Sequence, residues 1–178
     1  MTLSRTYDAI IGLSVPTGST AAGVVIRASR GLAGAKRGRL RPPVFVFSGD
    51  VNSAVCDEIA VELDRQVRDG GRVLLAVDDP GDTKGRSLEL RWRTIGVLEG
   101  LLGALNVWDA DDTVGVPEAT WAATEAPLRG MSRYDGELTV EAKKVAAVLY
   151  GEPYLGPVAR AILVTDHMLT AKGAGSHV

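Results

Sequence analysis

The sequence predicts a mixed α/β domain. Its sheet opens as an antiparallel meander of three strands, continues with parallel strands, and is covered by helices on both faces. Two observations carry this. Three β-prone runs follow one another before any helical period appears, and from there helical and strand-like segments alternate, giving the order β-β-β-α-β-α-β-α-α.

The first run, Asp8–Val15 (DAIIGLSV), ends in Pro-Thr-Gly, and the second is Gly23–Arg27 (GVVIR). Turn formers fill the connection PTGSTAA, so the two runs form a hairpin with a long loop. A polar, glycine-rich stretch over Ala28–Pro43 leads to Val44–Ser48 (VFVFS), the most β-prone run in the chain by its branched and aromatic side chains. Short connections favour antiparallel neighbours for these three. Over Asn52–Asp69 apolar residues recur at Val55, Ile59, Leu63 and Val67, a four-residue spacing that predicts an amphipathic helix. Asn52 or Ser53 serves as its N-cap and Gly70-Gly71 as its stop.

Arg72–Val77 (RVLLAV) has the unbroken apolar character of a strand buried on both faces. Ser87–Leu105 is the next long helix. Val114–Trp121 is a weaker strand, which Pro117 confines to an edge or a beginning. Leu138–Leu149 and Gly156–Leu169 are two closing helices, split by the breaker GEPYLGP. The helix between the third and fourth strands implies a right-handed crossover onto a parallel neighbour.

With 178 residues, 46% of them hydrophobic, the chain fits one domain over residues 1–172, with 173–178 expected to be a disordered tail. A net charge of −2 gives no global attraction to nucleic acid. The single cysteine, Cys56, cannot form an intrachain disulfide and falls in a helical segment, which favours a reducing compartment. The start, MTLSRTYDAI, lacks a signal-peptide core and no run has the length of a membrane span, so the expected location is the cytoplasm.

Several segments, in order, resemble the RuvC family of Holliday-junction resolvases within the ribonuclease-H-like superfamily. IIGLSVPTGSTAAGVVI resembles the family's opening, where a strand ends Gly-Ile-Asp-Pro-Gly and a second begins Thr-Gly-x-Ala-Val. LLAVDDP resembles its fourth strand, which ends in an acidic residue, and DTKGRSLELRWRTIGVLEGLL its Ala-Leu-x-Leu-x-x-x-x-Gly helix. VPEATWAATEAPLRGMSRYDGELTVEAKKVAAVL resembles the fifth strand, glycine turn and following helix. PVARAILVTDHM resembles the final helix, which in the family begins with two aspartates three residues apart.

The resemblance implies a ribonuclease-H-like five-stranded sheet, a homodimer, branched or structured DNA as partner, and two-metal phosphodiester hydrolysis. In that chemistry four carboxylates hold two magnesium ions roughly 3.5–4 Å apart. Magnesium takes oxygen ligands, so other side chains substitute poorly. The family's first-strand aspartate falls on Ser14, its fourth-strand acid on Asp78 with Asp79 adjacent, and its paired helix acids near Pro157 and Arg160. One of the four survives, and Arg160 brings a cation where an anion is needed. A rebuilt site would draw on Asp78, Asp79, Asp50 and Glu152. Asp166 lies nine residues beyond Pro157, on the order of 13 Å along a helix and away from such a site.

The stretch Arg27–Arg41 (RASRGLAGAKRGRLR) holds six basic residues, Arg27, Arg30, Lys36, Arg37, Arg39 and Arg41, and no acid. It reads equally as a phosphate-neutralising loop and as a solvated hairpin tip, and it has no aromatic residue for base stacking. Lys84, Arg86, Arg91 and Arg93 surround the start of the second long helix, where cations oppose the macrodipole. They await either an anionic partner or Asp82 and Glu89. The turn Pro16–Thr20 (PTGST) suits a phosphate but reads first as a plain turn. Trp92, Trp108 and Trp121 read as core or dimer contacts.

Three functions stay open. The leading one is a nucleic-acid-associated RuvC-like protein with an eroded or rebuilt metal site. The others are a non-catalytic assembly protein on the same fold and an active magnesium-dependent endonuclease with catalytic Asp78 and Asp79.

Overall fold

A computed structural model describes residues 6–29, 43–79, 85–117 and 157–171. Its sheet has five strands: β1 (Ala9–Ser14), β2 (Ala22–Ala28), β3 (Phe45–Gly49), β4 (Val73–Asp79) and β5 (Thr113–Pro117), in the spatial order β3-β2-β1-β4-β5. β1 pairs antiparallel with β2, and β2 with β3. β4 lies parallel to β1, and β5 parallel to β4. The expected meander followed by parallel strands is what forms. The three central strands are buried on both faces, which is why they read as continuous apolar runs rather than alternating ones.

Helices α1 (Ser53–Gln66) and α2 (Arg86–Ala104) cover one face. Val55, Ile59 and Leu63 from α1 join Leu90, Ile95, Leu98 and Leu102 from α2. Against them pack Ile11 and Leu13 of β1, Val24 and Ile26 of β2, and Leu75 and Val77 of β4. Asn52 caps α1 as expected, its side chain accepting from the Val55 N–H at 3.1 Å. The helix ends earlier than the glycine pair suggested, because Val67 turns to extended backbone while its N–H still donates to Leu63 O. Gly85 opens α2 at φ +65°, and no side chain caps it.

On the other face lies one described helix, α3 (Pro157–Ala171), with Val158, Ala161 and Ile162 against Val25. Two glycines let it approach closely. A Cβ at Gly23 of β2 would sit 2.2 Å from the carbonyl carbon of Pro157. One at Gly12 of β1 would sit 2.7 Å from Ala161 O and 2.5 Å from Thr165 Cγ2. Helix α3 therefore lies directly on the β1–β2 backbone, with its first turn over the end of β1, where Ser14 pairs with Gly23.

The opposite end of the sheet is tied by ion pairs. Arg68 donates to Asp8 (2.8 Å), Arg72 bridges Asp109 (2.6 Å) and Asp112, and Tyr7 Oη donates to Asp112 Oδ1 (2.8 Å). The expected strand Val114–Trp121 is observed over Thr113–Pro117, its remainder lying outside the described residues, as does the expected helix Leu138–Leu149. No helix among the described residues is long and apolar enough to cross a membrane.

Candidate functional site: an ion pair at the strand ends

Parallel strands present their carboxyl ends side by side, and sites of α/β proteins lie there. Here β1 ends in Ser14 and β4 in Asp78-Asp79, adjacent through the pairing of Leu13 with Val77. Side chains alternate along a strand, so the two aspartates face opposite sides. Asp78 points toward α3 and is 0% exposed. Asp79 points toward α2, 3.6 Å from Arg91. The two acids expected to share a metal are separated by the sheet itself.

Asp78 Oδ2 accepts the Ser14 hydroxyl at 2.8 Å and the Arg160 Nε–H at 2.9 Å. Strand β1, strand β4 and the first turn of α3 thus meet in one buried cluster of a hydroxyl, a carboxylate and a guanidinium. The Arg160 side chain is only 11% exposed, so its charge and that of Asp78 are both largely withdrawn from water. Such burial is tolerated when the charges satisfy one another at hydrogen-bonding distance, as these do.

The other expected ligands are elsewhere. Asp50, after β3, pairs on the surface with Arg93 at 3.1 Å. Glu152 lies outside the described residues. Asp166 is far from the cluster, as its helical offset implied, and pairs with Arg27 at 2.6 Å. Burial pushes its carboxyl above the ordinary value, with the Arg27 charge opposing that shift. Among the described residues no three His, Cys, Asp or Glu side chains gather as a metal centre would require. The donor set around Asp78 does not fit a divalent ion either, because a guanidinium cation stands against the carboxylate, whose Oδ2 accepts from both Arg160 and Ser14.

Of the expected phosphate contacts, Arg27 needs correction. Its side chain is 5% exposed and committed to Asp166 inside the protein, because β2 is covered on both faces. Arg86 is exposed at the start of α2, whereas Arg30, Lys36, Arg37, Arg39, Arg41 and Lys84 lie outside the described residues. The PTGST segment is a plain turn. Gly18 takes φ +79°, Ser19 N donates to Pro16 O (3.0 Å), and Ser87 Oγ donates to Ser19 O (3.2 Å), fastening the turn to α2. Trp108 is half-buried, its indole N–H donating to Thr113 Oγ1 at 3.1 Å, but Trp92 is exposed rather than core. The half-buried Cys56 thiol is raised by burial and by Asp57.

Sequence reasoning placed Ser14, Asp78 and Arg160 at one locus but read Arg160 only as a repulsion. Its direct bond to Asp78 was missed. The available signal was the coincidence of a new cation, Arg160, with the loss of three acids, at Ser14, Pro157 and Arg160 itself, at positions the resemblance brings together.

Solved structures place this geometry. A structure of T. thermophilus RuvC in complex with Holliday junction substrate superposes with a TM-score of 0.54, covering 97% of this chain and 100% of that one, at 9% identity. A second Thermus thermophilus RuvC structure gives 0.50 over 96% and 99%, at 14% identity. The fold is RuvC-like. No protein-family model and no curated protein matches the sequence. The five-stranded mixed sheet with its helices is of the ribonuclease-H-like type.

Proposed function

We propose that this RuvC-like protein engages branched or structured DNA without hydrolysing it, its metal centre replaced by the Ser14–Asp78–Arg160 cluster. One observation carries the reading: the buried Asp78 carboxylate is bonded to Arg160 at 2.9 Å. Two-metal hydrolysis needs several anionic oxygens around divalent ions. Here a fixed guanidinium neutralises the one acid that remains of the expected four, so catalysis through magnesium finds no foothold and none is required for binding.

Support for a DNA partner comes from the likeness to a RuvC structure solved with a Holliday junction. It also comes from the cations of the β2–β3 connection (Arg30, Lys36, Arg37, Arg39 and Arg41), joined by Lys84 and Arg86. Each phosphate contact releases counterions, so affinity falls steeply with salt even for a chain of net charge −2.

The test is a four-way junction in magnesium, resolved on native and denaturing gels. Retardation without cutting is expected, and replacing Arg37, Arg39 and Arg41 with alanine reduces the salt slope by about three. Magnesium-dependent cleavage abolished by Asp78→Asn would restore the endonuclease reading. A second reading, a non-catalytic assembly protein, is favoured by the exposed Trp92 on α2. Absence of any retardation at low salt would select it.

A further inference from the structure

We infer that the cavity between the carboxyl ends of α1 and α2 is a docking pocket for an arginine side chain presented by a different, basic protein. Asp64 and Asp69 form its anionic rim, and Leu63, Val67, Leu105 and Val107 its apolar wall. The inference stands apart from the DNA reading, since the cavity lies at the far end of the sheet from the Ser14–Asp78–Arg160 cluster. β4 begins beside it, where the Val73 N–H donates to Val107 O at 2.9 Å, and Asp78 follows about 16 Å further along the strand.

The cavity measures about 250 Å³. That is below the roughly 300–1,000 Å³ of a site for a whole small molecule, and it suits one long side chain. Its wall is built by the last turn of α1 and by the segment leaving α2, where Leu105 is exposed and Val67 and Val107 are half-buried. Asp64 and Asp69 are both exposed, and among the described residues neither enters an ion pair. The one cation in the lining, Arg68, is already committed. Its Nε and Nη2 donate to Asp8 at 3.2 and 2.8 Å.

The backbone adds to this negative charge. A helix carries a partial negative charge at its carboxyl end, which a cation in the last turn ordinarily offsets. α2 has no basic residue in its last turn. α1 has Arg65 there, but that side chain is 69% exposed and leans on Glu62 at 3.4 Å. Two helix ends and two carboxylates thus meet at one opening without a cation to balance them. An acid-rimmed cavity with an apolar wall selects a side chain that has both parts, a methylene stem and a cationic tip. Arginine suits it better than lysine. Its planar fork donates in several directions at once and gives up its hydration more readily. Asn106, in the left-handed region at φ +57°, brings an exposed amide oxygen to the same opening as a further acceptor.

An NMR titration of the full chain with the blocked peptide acetyl-Gly-Gly-Arg-Gly-Gly-amide tests this. The amide signals of Gly70, Gly71 and Asn106 are expected to shift, with a dissociation constant of about 1 mM or tighter at low salt. Asp64→Asn and Asp69→Asn, both on exposed positions that leave the fold intact, each weaken binding about ten-fold. Asp57→Asn and Glu58→Gln remove exposed acids of α1 outside the cavity and leave it unchanged. Citrulline in place of the arginine keeps the shape without the charge and binds at least about ten-fold more weakly. Free arginine is also weaker, because its own carboxylate meets the two acids. Four results would each overturn the inference. They are no shift at about 10 mM peptide, equal weakening by Asp57→Asn, citrulline binding as well as arginine, and free arginine binding tighter than the blocked peptide, which would mark a metabolite site.

Discussion

Replacing Arg160 with methionine keeps the length of the side chain and removes its charge. Asp78 has no exposure to water and Arg160 little, so the solvent screening that makes surface pairs weak does not operate here. The variant retains the Ser14 hydroxyl bond to Asp78 at 2.8 Å, but the carboxylate loses the guanidinium that balances it. Breaking a buried pair from one side costs about 3–5 kcal/mol, a large part of the roughly 5–15 kcal/mol that holds a domain folded.

Removing both charges is different, because the desolvation cost leaves with them. The double variant Asp78→Leu with Arg160→Met should recover most of the loss, with a coupling of about 2–3 kcal/mol in the cycle. Urea denaturation at neutral pH, followed by tryptophan fluorescence, measures all four corners. A loss below about 1 kcal/mol for Arg160→Met, or additive single effects, would refute the claim that this pair fastens α3 to the strand ends.

Other outcomes follow from the same geometry. Gly23→Ala should lower the urea midpoint by the equivalent of about 1–3 kcal/mol because its Cβ collides with the Pro157 backbone, whereas Gly115→Ala, in open space, should not. Asn52→Ala removes the α1 cap and should cost about 1 kcal/mol in the same assay. Burial raises the Asp166 carboxyl above its ordinary value, so its stabilising contribution is full below the unfolded value of about 4 and is lost as pH rises through the raised one. The stability of wild type minus that of Asp166→Asn should therefore shrink as pH increases; a difference that grows would mean the Arg27 charge outweighs burial. Ser14→Asp combined with Arg160→Asp places two acids beside Asp78 and should create manganese binding, visible as loss of the free-ion paramagnetic resonance signal, where wild type shows none at Asp78.

The sheet was legible because burial on both faces leaves a local mark: AIIGLS, AGVVIRA and VLLAVDD are apolar runs whatever they pair with. Helices α1 and α2 were legible from their spacing of apolar residues, and their ends were off by one to three residues because caps rather than composition end a helix. The candidate site was half legible. The resemblance aligned Ser14, Asp78 and Arg160, and strand alternation lets only one of Asp78 and Asp79 face a given side, but neither the bonding of Ser14 and Arg160 to Asp78 nor which face each aspartate takes was visible before β1, β4 and α3 were seen together. Nothing local marks Arg27 as internal either, since its partner Asp166 lies on a distant helix.

By itself, then, the sequence determined the order of the described strands and helices, the position of the surviving acid, and the arrival of a cation near it. Those are properties of short windows, set by side-chain volume, branching and period. Only the tertiary structure decided that the cation binds the acid, that Arg27 is internal, and that Trp92 faces water. Those depend on distances between residues far apart in the chain, which packing across the sheet fixes and no local pattern encodes.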